Sequence, residues 1–283
     1  MDALSDYTGY LLRTAFLRAS GIAARRFPRG VHPRDAGVLI TLISAGPVSQ
    51  QDLVERLDVN RTVMVKLIDG LEARGLVTRL RNPDDRRAYA LQPTPAGREA
   101  LLEMLPTMAE AEAELGEKLD AAEIERLKTL LRPLIGAAPD ELTNRLGFLL
   151  SKAHHRFHDR ADAELEPLGI QIRHFGALTA LADGVPSQRE LADRLSVSTP
   201  VVVEMVDALE ARGLVERRRD PSDRRSNALH VTEPGRQALN LAIERLSAAN
   251  QELTAPIGID GDRELRSLLR KLLGLGTVPV TVR

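Results

Sequence analysis

The sequence predicts a mainly α-helical fold with small β-hairpins, in which one chain carries two copies of the same domain. Three features predict it: a repeat of 138 residues, apolar residues at helical spacing through most of each repeat, and two short strands around a charged turn at the same place in both. The 283 residues allow two domains, and 43% hydrophobic residues are enough to build a core in each, which excludes disorder for most of the chain.

The repeat can be read directly. Leu71-Glu72-Ala73-Arg74-Gly75-Leu76-Val77 returns as Leu209-Glu210-Ala211-Arg212-Gly213-Leu214-Val215, and 26 of the 50 positions from Gln51 to Ala100 are identical, without a gap, to those from Arg189 to Ala238. Further out, Gly30, Arg34, Gly37, Leu39 and Leu42 match Gly169, Arg173, Gly176, Leu178 and Leu181 at an offset of 139. Leu127, Leu130, Leu131 and Arg132 match Leu265, Leu268, Leu269 and Arg270 at 138. Periods this long are whole domains rather than stacked solenoid units. The expected domains are 1–138 and 139–283, with the boundary near Ala137-Ala138-Pro139-Asp140.

In the first copy, Leu4, Tyr7, Leu11 and Ala15 recur at helical spacing, so residues 4 to 27 read as a helix and not as a targeting segment. Pro28, Gly30 and Pro33 break the chain before a second helix that ends about Ala45-Gly46-Pro47. Ser49 opens a short helix carrying Leu53, Val54 and Leu57. Asn60 is a good N-cap, and Met64, Leu67, Ile68 and Leu71 then fall at i, i+3, i+4 and i+7 before Gly75 stops the helix. Leu76 to Arg81 and Ala88 to Pro93 are short strands around Asn82-Pro83-Asp84-Asp85-Arg86. Thr94 before Pro95 caps a long helix to about Lys118, which Pro106 should kink, and Asp120 caps a last helix to about Ile135. The second copy repeats this order, with Ser198 and Thr232 at the corresponding caps. Each copy reads as helices, a helix-turn-helix, a hairpin wing and two more helices.

The formal net charge is −1, so bulk charge points to no polyanionic partner, although it leaves room for a local patch. The absence of Cys removes disulfides, thiolate nucleophiles, Cys-ligated zinc and thiol-based oxidant sensing. No run of 18 apolar residues suggests a membrane span, and a cytoplasmic location is the expectation that fits both facts. Locally the charge is uneven: Arg74 to Arg98 carries +4, Arg212 to Arg236 carries +3, and Glu99 to Lys128 carries −6.

The second helix of a helix-turn-helix can enter a DNA major groove about 12 Å wide and offer small polar, basic or apolar groups to base edges. Its outward face here carries Asn60, Arg61, Thr62, Val65 and Lys66, with Val63 beside them. The second copy has Ser198, Thr199, Pro200 and Val203 in the corresponding places, and Glu204 where the first has Lys66. On an isolated helix such a face is ordinarily only solvated. The Arg-rich hairpin beside it in both copies is the electrostatic footprint of phosphate and minor-groove contact. The wing residues this assigns to DNA are Arg79, Arg81, Arg86 and Arg87, then Arg217, Arg219, Arg224 and Arg225. Arg86 and Arg224 are expected in the minor groove, with Asp85 and Asp223 holding the wing tips in shape. An ion pair that only stiffens each turn is the alternative.

Leu-Glu-Ala-Arg-Gly-Leu-Val, then Arg, then Pro-x-Asp-Arg-Arg, then Thr-x-x-Gly, at Leu71 to Gly97 and again at Leu209 to Gly235, resembles the winged-helix core of the MarR family of bacterial transcriptional regulators. The surrounding helix order extends the resemblance over nearly the whole chain, twice. It implies a homodimer-like assembly in which the first and last two helices of each half interlock. It also implies release from DNA by a small aromatic or anionic effector bound between those helices and the winged helix. The chain therefore looks like a MarR dimer fused end to end, a pseudo-two-fold dimer within a monomeric chain, with double-stranded DNA as its partner.

Fusion replaces a concentration-dependent association by an intramolecular one at an effective concentration of order mM. It also frees the halves to diverge, because they need no longer share one sequence. Family members more often carry Ser or Thr, and a basic residue, at the positions of Val65/Val203 and Lys66/Glu204. An asymmetric operator is expected, with the stronger half-site under the first copy.

Phe16, Arg34, Phe157 and Arg173 lie on elements that line the ligand cleft in the family. His154 and His158 share a helix face at i, i+4, with His174 in the next helix, a spacing compatible with a metal or an anionic ligand. There is no Cys and no H-E-x-x-H, and the first copy has Phe16, Leu17 and Ser20 at the places of His154, His155 and His158, so surface or dimer-packing histidines are the plainer reading. No metal or cofactor is expected. The chain lacks a Gly-rich phosphate loop, a G-x-S-x-G elbow and paired carboxylates in an apolar setting, so no enzyme is expected either. One other reading stays open, a protein-binding, antirepressor-like winged-helix pair, which Glu204 favours and the Arg-rich wings disfavour.

Overall fold

Capping chemistry carried by the sequence sets the helix starts. The computed structural model describes residues 7–81, 89–184, 187–195, 197–219 and 227–276. The first repeat runs through α1 (Thr8–Arg26), α2 (Pro33–Ala45), the two-residue β1 (Val48–Ser49), α3 (Gln50–Leu57), α4 (Arg61–Ala73), β2 (Val77–Arg81), β3 (Tyr89–Pro93), α5 (Pro95–Leu115) and α6 (Ala121–Leu134). The second runs through α7 (Leu146–Leu165), α8 (Ile172–Ala182), α9 (Gln188–Leu195), α10 (Thr199–Ala211), β4 (Val215–Arg219), β5 (Asn227–Val231), α11 (Glu233–Thr254) and α12 (Gly258–Leu273). The molecule is mainly helical with small antiparallel sheets, and β1 is the one strand the sequence pattern does not announce.

At α3 the Ser49 hydroxyl accepts from the Asp52 N–H at 3.1 Å while the Asp52 carboxylate accepts from the Ser49 N–H at 2.8 Å, a reciprocal capping box. Asp120 and Glu123 make the same exchange at α6, at 2.9 Å both ways. Asn60 Oδ1 accepts from the Val63 N–H at 2.8 Å and starts α4. Ser198, its expected counterpart, makes no side-chain cap bond; α10 begins with Pro200 in its first turn, where a fixed φ suits the helix. α5 is continuous across Pro106 and ends at Leu115, three residues short of the expected stop.

The Thr-x-x-Gly motif is a packing joint. The Thr94 hydroxyl accepts from the Gly97 N–H at 3.0 Å and donates to the Gly75 carbonyl at 2.6 Å, while the Thr94 N–H donates to the Leu76 carbonyl at 3.0 Å. A Cβ on Gly97 would sit 2.0 Å from the Leu76 carbonyl oxygen, so only glycine lets α5 approach the turn that follows α4. Thr232, Gly213 and Gly235 repeat the joint, again with 2.0 Å between a notional Cβ on Gly235 and the Leu214 carbonyl oxygen.

In the first wing β3 lies between β1 and β2, with Val77 opposite Pro93 and Arg81 opposite Tyr89. In the second, β4 pairs with β5, Val215 opposite Val231 and Arg219 opposite Asn227.

The chain forms two compact units that do not follow the repeat boundary. The larger joins Leu11–His155 to Asp260–Arg283 and the smaller joins Met1–Tyr10 to Arg156–Ile259. In the larger, Leu39, Leu53, Met64, Ile68, Leu71 and Leu91 are buried beneath the first winged helix. In the smaller, Leu178, Leu191, Val202, Val206, Leu209 and Leu229 do the same for the second. The larger unit therefore contains helices of both repeats. Within it α1 is tied to α5 by Arg25 and Arg26 on Glu114 at 2.8 and 2.7 Å, and to the turn just after α5 by Arg18–Glu117 at 2.7 Å. There α6 is tied to α12 by Arg126–Glu264, a two-bond pair at 2.8 and 2.6 Å, and by Glu123–Lys271. Among the described residues no helix is long and apolar enough to cross a membrane.

Candidate nucleic-acid interface and effector cleft

Burial of Met64, Ile68 and Leu71 turns the opposite face of α4 outward. Asn60, Arg61, Thr62, Val65 and Lys66 are all exposed, as the spacing predicts. Val63 is not part of that face; it packs partly buried against the core, because the 3.6-residue period carries it round beside Leu67. On α10 the exposed set is Thr199, Pro200, Val201, Val203 and Glu204, with Ser198 exposed just before it.

Arg79 and Arg217, two of the wing arginines assigned to DNA, are engaged within the protein. The Arg79 guanidinium reaches back from β2 to α4, donating to Asp69 at 2.7 Å and pairing with Glu72, and this raises its pKa above the ordinary arginine value, the Asp69 bond being the largest cause. Arg217 does the same with Asp207 and Glu210. Both are engaged by helix carboxylates, so they fix the angle between wing and helix. Arg81 and Arg219 end strands β2 and β4. The wing-tip assignments, Arg86, Arg87 and Asp85 in the first copy and Arg224, Arg225 and Asp223 in the second, lie outside the described residues.

The two faces differ in charge. Among the described residues Arg61 and Lys66 of the first face have no ion-pair partner. In the second, Glu204 lies 3.7 Å from Arg173, so an acid replaces Lys66 and also engages the neighbouring base.

A cavity of about 510 Å³ opens in the larger unit, between α1, the start of α2, α5 and the start of α7. Its apolar wall includes Phe16, Phe27, Phe148 and Met108, and the small residues Ala19, Ser20 and Ala23 leave its floor open. Arg29, Arg34 and Arg145 line it with His32 and His155, against two carboxylates, Asp58 and Glu112. Glu112 is already used: it accepts from the Leu146 and Gly147 N–H groups at 2.8 and 2.9 Å, capping α7. Arg145 Nε is buried with no hydrogen-bond partner.

Of the residues expected to hold an effector, Phe16 and Arg34 line this cavity. The other five are placed elsewhere. His154 stacks on Phe16 with ring centroids 4.6 Å apart. Phe157 is 5% exposed, His158 sits 3.4 Å from Asp162, and Arg173 faces Glu204. His174 is buried, its Nδ1 accepting from the Gln171 N–H at 3.2 Å.

Arg145, His155 and Phe148 were missed; the signal for them was the repeat itself. Residues 145–155 of the second repeat belong to the larger unit and so reach the first repeat's cleft. In the smaller unit larger aromatics stand at several of the equivalent positions: Ala19 corresponds to Phe157, Arg145 to Tyr7 and Phe148 to Tyr10, while Phe175 stands in place of the buried Ala36. Tyr7, Tyr10 and Phe175 pack in the core of that unit, Tyr7 meeting Phe175 edge-on at 6.0 Å.

A MarR-family model matches residues 29–88 and again residues 168–226. The chain is 35% identical over 125 residues to a protein of Thauera aromatica described as a transcriptional regulatory protein for the hcr operon, a match covering 42% of this chain and 75% of that one. It is 35% identical over 111 residues to the HTH-type transcriptional repressor NicR of Pseudomonas putida, covering 37% and 67%. Among solved structures, it resembles Bordetella bronchiseptica BpsR, whose DNA binding is regulated by 6-hydroxynicotinic acid, with 29% identity, a TM-score of 0.45 and coverage of 47% of this chain and 96% of that one.

Proposed function

The chain belongs to the MarR family, and on that premise we propose that it is a sequence-specific regulator of double-stranded DNA, a repressor released by a small ligand, in which copies 1–138 and 139–283 act as one single-chain pseudo-dimer. The observation that carries this reading is the pairing of an exposed helix face with an arginine-stapled wing, made twice with the same residues: Arg79 on Asp69 and Glu72, Arg217 on Asp207 and Glu210. A wing fixed at one angle to the recognition helix lets helix and hairpin engage adjacent grooves together.

The two half-sites are read unequally. Arg61 and Lys66 offer two cations to the first half-site, where Glu204 and Arg173 largely cancel in the second. The exposed methyls of Val65, Val201 and Val203 suit thymine methyl groups. The effector is a small aromatic anion held in the larger unit's cavity, its ring among Phe16, Phe27 and Phe148 and its charge on Arg145.

A mobility-shift titration against the DNA upstream of the protein's own gene, at 50 and 200 mM salt, tests the reading. Specific binding that weakens about a thousandfold across that range is the expected result for six or more phosphate contacts. Absence of binding at 50 mM salt refutes it. The Glu204–Arg173 pair favours one second reading, a protein-binding winged-helix pair, and that outcome would point to it.

A further inference from the structure

Two contacts in the larger unit join residues that occupy the same place in the repeat. Phe16 and His154 are 138 positions apart, and their rings stack with centroids at 4.6 Å and planes 22° apart. Arg126 and Glu264 are also 138 apart, and Arg126 donates through Nε and Nη2 to the two Glu264 oxygens at 2.8 and 2.6 Å. When two copies are related by a two-fold rotation, a residue meets its own equivalent only at the axis. One such contact joins α1 to α7 and the other joins α6 to α12, so both helix pairs meet their own equivalents.

On a true homodimer axis the residues that meet are identical. A first-copy homodimer would set Arg126 against Arg126, and a second-copy homodimer Glu264 against Glu264, like charges at bonding distance. The pair observed is of opposite charge and bidentate, the geometry in which an arginine–carboxylate pair is most selective. A third contact breaks the symmetry in the same way. Glu123 is bonded by Lys271, but the positions that would make the reciprocal bond are Gly261 and Pro133, which carry no charge.

We propose that these helices form a heterotypic interface: each copy's pairing face is complementary to the other copy and opposed to itself, so the partner it accepts is the unlike half and not a second like half. The side chains of Arg126 and Glu264 are 49% and 40% exposed, so the pair adds little stability. Its effect is discrimination, through the repulsion that a like pair would suffer. Fusion permits this, since two halves made in equal number on one chain need never recognise themselves. The inference rests on the single-chain pairing proposed above.

The protein has no cysteine, so introduced thiols are the only ones present. Full-length Phe16→Cys, His154→Cys and the double variant, which leave Arg126 and Glu264 in place, are treated with a short flexible bismaleimide. The double variant is expected to cross-link within one chain, and neither single variant to give covalent dimers. Covalent dimers from either single variant would mean that like halves meet, and would overturn the proposal, as would a double variant that does not cross-link. Dimers from the double variant alone would support unlike pairing but refute its closure within one chain.

A charge exchange gives a second readout. Arg126→Glu and Glu264→Arg should each lower Tm by about 2 °C, and the double exchange should restore most of it. Additive losses would overturn the proposal.

Discussion

Arg79 on strand β2 donates to Asp69 on helix α4 at 2.7 Å, and the same bond recurs 138 residues later between Arg217 and Asp207. Two arginines that a charge count assigns to DNA are thus paired with helix carboxylates, which points to a role in setting the wing. Arg79→Ala should cost ~1 kcal/mol, since the pair is partly exposed, and lower Tm by about 2–4 °C. DNA affinity should fall with the salt dependence of binding unchanged, because a positioning residue releases no counterions. A drop of about one in the log–log salt slope would instead identify Arg79 as a phosphate contact.

Lys66 and Glu204 occupy equivalent places on the two exposed faces. Lys66→Ala should weaken operator binding about five- to tenfold and reduce the salt slope by about one. Glu204→Lys should strengthen binding by a similar factor, since it removes an acid and releases Arg173. Fluorescence anisotropy on one labelled operator measures both, and a loss of affinity in Glu204→Lys, or no loss in Lys66→Ala, would refute the unequal half-sites.

Gly97 and Gly235 are held at their joints by sterics alone, with 2.0 Å between a notional Cβ and a carbonyl oxygen. Gly97→Ala should destabilise the first winged helix by ~3 kcal/mol, near the upper end of overpacking effects, and Gly235→Ala the second. Denaturant titration should show the loss. Gly70, whose notional Cβ meets nothing within 4 Å, is the control and should tolerate alanine.

His174 stands where the first copy has Asp35. Asp35 is buried and bonded to Arg74 at 2.7 Å, whereas Arg212, the counterpart of Arg74, turns to the Leu168 and Gly169 carbonyls. Burial first, then Arg173 and Arg212, outweigh Asp162 and Glu204 and hold the His174 pKa below its ordinary 6.5. The folded protein then binds fewer protons than the unfolded one, so this contribution is full above about pH 6.5 and is lost as pH falls toward the folded pKa. Tm should therefore fall between pH 7.5 and 5.5, and His174→Asn should flatten that fall. An identical profile in the variant would count against it.

Arg145 lines the cavity with a buried, unpartnered Nε, and the smaller unit has Tyr7 in its place and Phe157 in that of Ala19. Calorimetry with a panel of benzoate-class anions should give one site per chain, lost or weakened at least tenfold in Arg145→Ala. Two equal sites per chain would contradict this.

Much of the layout is legible in residue order because the forces there are local. Asn60, Met64 and Ile68 give α4 its start and its inward face, and Thr94-x-x-Gly97 announces a tight joint even before its partner Leu76 is known. What could not be read depends on distant segments meeting. Arg79 has the same local context as an arginine offered to phosphate; only the fold brings Asp69 and Glu72 beneath it. The cleft draws on Arg145 and His155, more than a hundred residues from Arg34. In the second copy the matching positions carry aromatic residues spread across the smaller unit.

The central claim is that one chain alone performs as a dimeric regulator with unequal halves. Hydroxyl-radical footprinting combined with native mass spectrometry of the complex measures this most directly. One chain per operator, protecting two half-sites about 34 Å apart with the stronger protection under the first copy, is the predicted result. Two chains per operator, or equal protection of a perfect palindrome, would contradict it.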